Sequence, residues 1–414
     1  MTYISELSWD LVEKILSRVP ITSIGAVRST CKLWNGLSKY RILCSAEARR
    51  HQFLRFMVKN YKLCSLRFDL HGILDDEEFV DPSIKEIISD SFNQLKVTKV
   101  FHCDGLLLCV TKEKDIETEE ESTSLVVWNP YLGQTRWIQP RHNYHRLDSY
   151  ALGYDSNSRK HKILRFLDDE DDYNLGNHLI VYEIYDFSSD SWRVIDINPD
   201  WDIIFFQRGV SLKGNTYFFA KEKFLVLGVG IPPGEFPEPH DDLLCFDFTR
   251  ERFGPPLPLP FHHYTDDTGA LSSLRDEQLA ALYQCWSMPE VNIWVTTKIE
   301  PNAVSWAPFL KIDTEPLTDY EFQFHFNGAS FFIDEEKKVA VVFQLDDQLE
   351  DHLDETCYDN AYLIGENGYF EKVGLGEAAN PLESNNLEEY CPLVCSCSYV
   401  PSLVHINQFA GDKN

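Results

Sequence analysis

Apolar residues recur at helical spacing in the first part of the chain and at strand spacing over most of the rest. In LSWDLVEKILSRVP, residues 7–20, the side chains of Leu11, Val12, Ile15, Leu16 and Val19 share one helical face. Ser8 is placed to cap that helix, Asp10 suits its first turn, and Pro20 ends it. A second short helix is predicted over residues 23–29, presenting Ile24 and Val27. A third is predicted over 30–39, with Cys31, Trp34 and Leu37 on one side and Gly36 weakening it modestly. AEARRHQFLRFMVKN, residues 46–60, reads as a further amphipathic helix with Phe53, Phe56 and Met57 apolar, linking the front to the body. Three short helices are too little chain to bury their own apolar faces.

From about residue 61 short strands alternate with turns, and the chain repeats itself. LVVWNPYLGQTRWI (125–138), YEIYDFSSDSWRVI (182–195) and LLCFDFTRERF (243–253) share one plan. Each is an apolar strand, an Asn or Asp, a polar turn, then an aromatic residue opening the next strand. VNIWVTTKIEPNAVSWAPFL (291–310) and AYLIGENGYFEKV (361–373) are looser copies, so that Trp128, Tyr185, Phe246, Trp294 and Leu363 mark equivalent positions. Hairpin patterns precede the copies at GLLLCV, YALGYDSNSRKHKILRF, GVSLKGNTYFFA, LSSLRDEQLAALYQ and GASFFIDEEKKVAVVF. Units of about four strands in about 55 residues predict a β-propeller. Five units are clear. SLRF (65–68) and CPLVCSCSYVPSLVHI (391–406) would form or complete a sixth blade joining the ends of the ring. A twisted β-sandwich is the alternative. The domain plan is 1–45 helical, 46–60 a linker helix, 61–406 the β domain, and 407–414 a tail.

Composition sharpens this division. Hydrophobic residues are 43% and charged residues 25% of 414, as in globular chains. Net charge is −28, but residues 1–60 carry about +6 and the rest about −34. An acidic body argues against nucleic-acid binding, and a basic front suits an acidic partner. The longest apolar run, FLVLGVGI (224–231), is too short to span a bilayer. Eleven scattered cysteines, no signal-peptide pattern and no glycosylation sequon place the expected protein in the cytoplasm or nucleus, with free thiols and no membrane attachment.

Candidate chemistry is sparse. Cys391, Cys395 and Cys397 alternate along one strand face and lack the ligands that would complete a zinc set. The acidic runs at 75–78 and 168–172 suggest calcium. In an EF-hand-like loop starting at Asp168, however, Tyr173 and Leu179 stand where Gly and Glu are required. GVSLKG (209–214) is not a nucleophile elbow, and His262 and His263, which follow a Pro-rich stretch, read as loop residues rather than ligands. No catalytic residue, metal site or cofactor is expected. Trp128, Trp137, Trp192, Trp294 and Trp306 follow the repeat and read as blade core. Tyr144, Tyr173, Trp201 and Phe205 fall in irregular segments and are candidates for binding a target.

The front segment resembles an F-box. Leu7, Asp10-Leu11, Ile15-Leu16, Arg18, Val19-Pro20 and Cys31-Lys32-Leu33-Trp34 stand at the family's spacing over about 45 residues. Ser8 replaces a usual Pro, and Gly25 a residue more often long or basic. The body is similar to the F-box-associated domain of plant F-box proteins, carried by FHCDGLLLC, VVWNPYLGQTRWI, YALGYD, YEIYDFSSDSWR, IWVTTKIEPNAVSW and CSYVPSL. The resemblance implies a non-catalytic substrate-receptor subunit of a Skp–cullin–F-box ubiquitin ligase. The F-box would pack on a Skp-family adaptor, and through it a cullin, while the kelch-like β domain captures a target protein. The implied adaptor contacts are Leu7, Leu11, Val12, Ile15, Leu16, Val19, Pro20, Ile24, Cys31, Trp34 and Leu37. The acidic body implies a target with a basic surface. The alternative is a protein-binding propeller with a degenerate F-box acting outside a ligase.

Overall fold

The computed structural model describes residues 54–68, 70, 82–87, 95–114, 121–139, 141, 148–167, 181–197, 199–203, 208–222, 241–262, 267–275, 277–315, 322–324, 330–345, 358–378, 393–394 and 401–406, together with 8, 11, 12, 15, 19, 27, 30, 32, 34 and 36. From residue 54 onward these are almost entirely strand and turn. They form six antiparallel sheets, and the fold is a six-blade β-propeller. Small sheets following one another in chain order exclude the sandwich, which requires two large facing sheets. Backbone contacts divide the chain into two units, residues 1–140 with 398–414, and residues 141–397.

The first unit contains β1 (Leu54–Lys59), β2 (Lys62–Arg67) and β3 (Ser83–Glu86), paired in that order, and a sheet of β4 (Lys96–Cys103), β5 (Leu106–Lys114), β6 (Glu121–Asn129) and β7 (Gln134–Ile138). β1 corrects the expected linker helix over 46–60. Arg55, Phe56, Met57 and Val58 are all buried, and Leu54 pairs with Arg67 in register with the rest of β2. Asn60 and Tyr61 both have positive φ (51° and 59°), the signature of a two-residue hairpin turn. Residues 46–53 lie outside the described residues. The predicted strand SLRF runs from β2 into Phe68. Residues 401–406 are fastened to the β6–β7 hairpin. The Asn129 amide donates to the carbonyls of Ser402 (3.1 Å) and Val404 (2.8 Å), and the Ile406 amide donates to Gln134 Oε1 (3.2 Å).

The second unit holds four blades. β8 (Asp148–Tyr154), β9 (His161–Leu167), β10 (Val181–Asp186) and β11 (Ser191–Ile195) form the first. The next has an interrupted first strand, β12 (Trp201–Ile203) and β13 (Val210–Leu212), both paired with β14 (Asn215–Glu222). Its last strand is interrupted as well. β16 (Arg252–Phe253) and β17 (Leu257–Pro258) both pair with β15 (Asp241–Asp247), with Gly254, Pro255 and Pro256 between them. Prolines cannot donate to the ladder and suit such an edge. β18 (Thr268–Leu274), β19 (Gln278–Gln284), β20 (Glu290–Glu300) and β21 (Ala303–Asp313) follow. β22 (Ser330–Asp334), β23 (Val339–Leu345), β24 (Tyr358–Gly365) and β25 (Tyr369–Glu377) complete the four, and a short β26 (Leu393–Val394) comes last.

Neighbouring blades of this unit meet through apolar layers. Leu164, Ile184, Phe218 and Phe246 join the first pair, Phe219, Leu243, Leu279 and Ala281 the second, and Leu282, Ile293, Phe331 and Val342 the third. The period-2 pattern places one set of side chains on each face, and an internal blade is covered on both. Each of these strands therefore reads as nearly continuous apolar sequence.

The repeated Asn or Asp is a turn device. Asp155, Asp186, Asp247 and Asp334 each accept, through Oδ1, the backbone N–H two residues on, and Asn129 accepts that of Leu132. Four residues after each stands a positive-φ residue: Arg159, Asp190, Glu251, Lys338 and Gly133. The carboxylate or amide substitutes for a missing backbone acceptor and fixes the reversal. Close approach explains the glycine of YALGYD, since a Cβ at Gly153 would lie 2.2 Å from the Phe248 ring. Gly214 combines φ of +86° with the Tyr154 ring 2.6 Å from an added Cβ, and its carbonyl accepts the Tyr154 N–H at 3.0 Å. Gly214→Ala is expected to lose about 2–4 kcal/mol, from left-handed strain plus overpacking. Urea denaturation of the full chain checks this, and a loss below about 0.5 kcal/mol contradicts the packing described.

Candidate functional site

Among the described residues, the three most exposed large apolar side chains fall in two places. The first lies in the front segment. The Val12 N–H donates to the Ser8 carbonyl at 3.0 Å, the first bond of a helix, which puts Ser8 at the capping position expected of it. Leu11, Val12 and Ile15 are helical. Leu11 and Ile15 lie one turn apart, 51% and 41% exposed, whereas Val12 is buried. The face expected to be uniform is thus divided. Leu11 and Ile15 are open to solvent, while Val12, also among the expected adaptor contacts, is buried. Trp34 is helical and half-buried, and Val19 is half-buried. The Thr30 hydroxyl donates to the Val27 carbonyl at 2.6 Å. Leu7, Leu16, Pro20, Ile24, Gly25, Cys31 and Leu37 lie outside the described residues.

The second feature is the β19–β20 connection, Cys285-Trp286-Ser287-Met288-Pro289. The Met288 N–H closes a β-turn on the Cys285 carbonyl at 3.2 Å. Trp286 and Met288 are 63% and 59% exposed, the most exposed large apolar side chains among the described residues. Their backbone is held from below. Buried Asp267 accepts the Trp286 N–H at 3.0 Å through Oδ1 and the Tyr283 hydroxyl at 2.8 Å through Oδ2. Burial, then Asp267, raises the Tyr283 phenol pKa, which keeps it a donor. Phe261 stacks on the Tyr283 ring at 4.4 Å. Thr314 grips the Pro289 carbonyl with both its N–H (2.7 Å) and its hydroxyl (2.8 Å). The signal in the sequence was two large apolar residues in a turn that polar residues would ordinarily fill.

The interior offers scaffold chemistry. Arg165 lies between Asp148 (NH2 to Oδ2, 2.7 Å) and Glu183 (NH1 to Oε2, 3.1 Å), with the Tyr150 hydroxyl also donating to Asp148. Burial alone would lower the Arg165 pKa, but Asp148, Tyr150 and Glu183 reverse that and raise it. Burial pushes the thiols of Cys64, Cys109 and Cys245 up to about 11, about 12 and about 12, so they stay protonated and unreactive. Among the described residues no cluster of His, Cys, Asp or Glu could hold a metal, and no helix is long and apolar enough to cross a membrane. Cys391, Cys395, Cys397 and both acidic runs lie outside them.

Of the expected target-binding residues, Trp201 lies in strand β12, half-buried against the layer between the first two blades of its unit. The segment is regular there, so this residue supports the core rather than a face. Tyr144, Tyr173 and Phe205 lie outside the described residues. Of the five repeat tryptophans only Trp128 is buried. Trp192, Trp294 and Trp306 are half-buried, and Trp137, on the outer strand β7, is 42% exposed.

Residues 4–45 match the F-box domain family, and residues 54–406 match the F-box associated beta propeller domain family. A relative in Arabidopsis thaliana, named as an F-box protein, is 60% identical over 421 residues, spanning 100% of this chain and 98% of its own. An F-box/kelch-repeat protein of the same plant is 52% identical, spanning 98% and 97%. A third relative from it, also named an F-box protein, is 51% identical, spanning 98% of this chain and 100% of its own.

Proposed function

The chain belongs to the F-box proteins with an F-box-associated β-propeller domain, and from that premise we propose that it is the substrate-receptor subunit of a Skp–cullin–F-box ubiquitin ligase. Family membership carries the coarser role, substrate recognition by an F-box protein. The observation that supports the finer one is the open Leu11–Ile15 pair, one helical turn apart on a segment too small to enclose it. A Skp-family adaptor supplies the missing half of that face, and the basic charge of residues 1–60 suits an acidic adaptor. Leu7, Leu11, Ile15, Leu16, Val19, Pro20, Ile24, Cys31, Trp34 and Leu37 form the proposed contact set.

The propeller holds the target, and the bond-forming chemistry belongs to the rest of the ligase. A reducing compartment, cytoplasm or nucleus, fits the five described cysteines, none of which is in a disulfide. Purified full chain, Skp adaptor and cullin test the assembly. Cullin is expected to be recovered on the chain only when the adaptor is present. Failure to recover the adaptor, or recovery of cullin without it, overturns this reading.

A further inference from the structure

We propose that the Cys285–Pro289 turn is the anchor by which this propeller holds its target, and that the target meets it with an apolar surface bordered by Lys and Arg. This rests on the reading of the propeller as the target-binding part. Trp286 and Met288 stand exposed on one turn whose backbone is held by Asp267 at Trp286 and by Thr314 at Pro289. A turn whose backbone is already fixed in the free protein has less entropy to lose on binding. Trp is the residue most often found to dominate interface energies, and Met adapts its shape to a partner.

Charge selects the partner. β20 and β21 pair Glu290 with Asp313, beside the turn, and Asp313 and Glu315 are exposed there. Lys311 is already engaged by Glu290 at 2.8 Å. With a chain charge of −28, a second copy or an anionic membrane would be repelled from an acidic rim. A protein segment with apolar side chains flanked by cations satisfies both the exposed pair and its border.

The test uses the full chain bound to a Skp adaptor and a fluorescent amphipathic helical peptide of Leu and Lys, with a Leu and Glu peptide of equal length as control. Anisotropy is expected to show binding of the Leu/Lys peptide alone. Trp286→Ala/Met288→Ala should weaken it about tenfold or more, with the melting temperature and adaptor binding unchanged. Asp313→Asn/Glu315→Gln should weaken it severalfold and flatten its salt dependence. Trp137→Ala, an exposed tryptophan elsewhere, should have no effect. Equal affinity of the double Trp/Met variant and wild type overturns the proposal, as does equal binding of the Leu/Glu peptide. It is overturned too if the same variant abolishes self-association or binding to phosphatidylserine vesicles instead. Loss of the adaptor from the wild-type chain would strike the ligase reading and leave the peptide result standing.

Discussion

Arg165→Met is expected to lower the stability of the chain by about 3–5 kcal/mol in urea denaturation. Arg165 is buried between two buried carboxylates and forks to both, with Nε also donating to Asp148 at 2.8 Å. Removing the guanidinium leaves Asp148 and Glu183 as like charges in a site that water barely reaches. Arg141 approaches Glu183 at 3.4 Å from the exposed side, too peripheral to replace the central cation. Arg165→Lys should recover only part of the loss, because one ammonium cannot span both partners as a planar fork does. Replacing the cluster by apolar residues, Arg165→Met/Asp148→Leu/Glu183→Leu with Tyr150→Phe to remove the hydroxyl that donates to Asp148, should return most of it, since the desolvation penalty leaves with the charges. A loss below about 1 kcal/mol for Arg165→Met would mean that the cluster is solvated.

Leu11→Ala/Ile15→Ala is expected to weaken adaptor binding at least about a hundredfold. Truncating one anchor buried at an interface costs about 2–4 kcal/mol, and two residues one helical turn apart are close enough that their effects need not simply add. Both are exposed in the free chain, so their truncation leaves the stability of the chain nearly unchanged. Val12→Ala should do the reverse, since that side chain is buried in the chain itself. Calorimetric titration with the adaptor separates the two. Unchanged affinity of the Leu11/Ile15 variant would remove these residues from the interface.

Three blades were the most legible because they carry their own local instructions. An aromatic residue on the third strand, at Trp128, Tyr185 and Phe246, is followed at once by an Asx residue that closes the turn, and both are readable without knowing the partner strand. What depends on distant pairing was hidden. FLRFMVK satisfies helical and strand periods alike, and β1 is decided by its ladder with β2. Trp201 looked irregular because its strand is interrupted and rejoined through β14.

The family of the front segment was readable as a spacing, but the division between open Leu11 and buried Val12 was not, since adjacent residues on a helix flank differ by what covers them. Asp148, Arg165 and Glu183 are unremarkable in sequence and meet only through the register of β8, β9 and β10. The exposed Trp286–Met288 pair was missed because repetition favours aromatics that recur, and this pair does not.

Amide hydrogen exchange of the full chain, with and without a saturating Skp adaptor, tests the division of labour most directly. Slowed exchange across residues 7–37, with β8 to β25 and the Cys285–Pro289 turn unchanged, is the expected result. Protection of the propeller strands with none across residues 7–37 would contradict it.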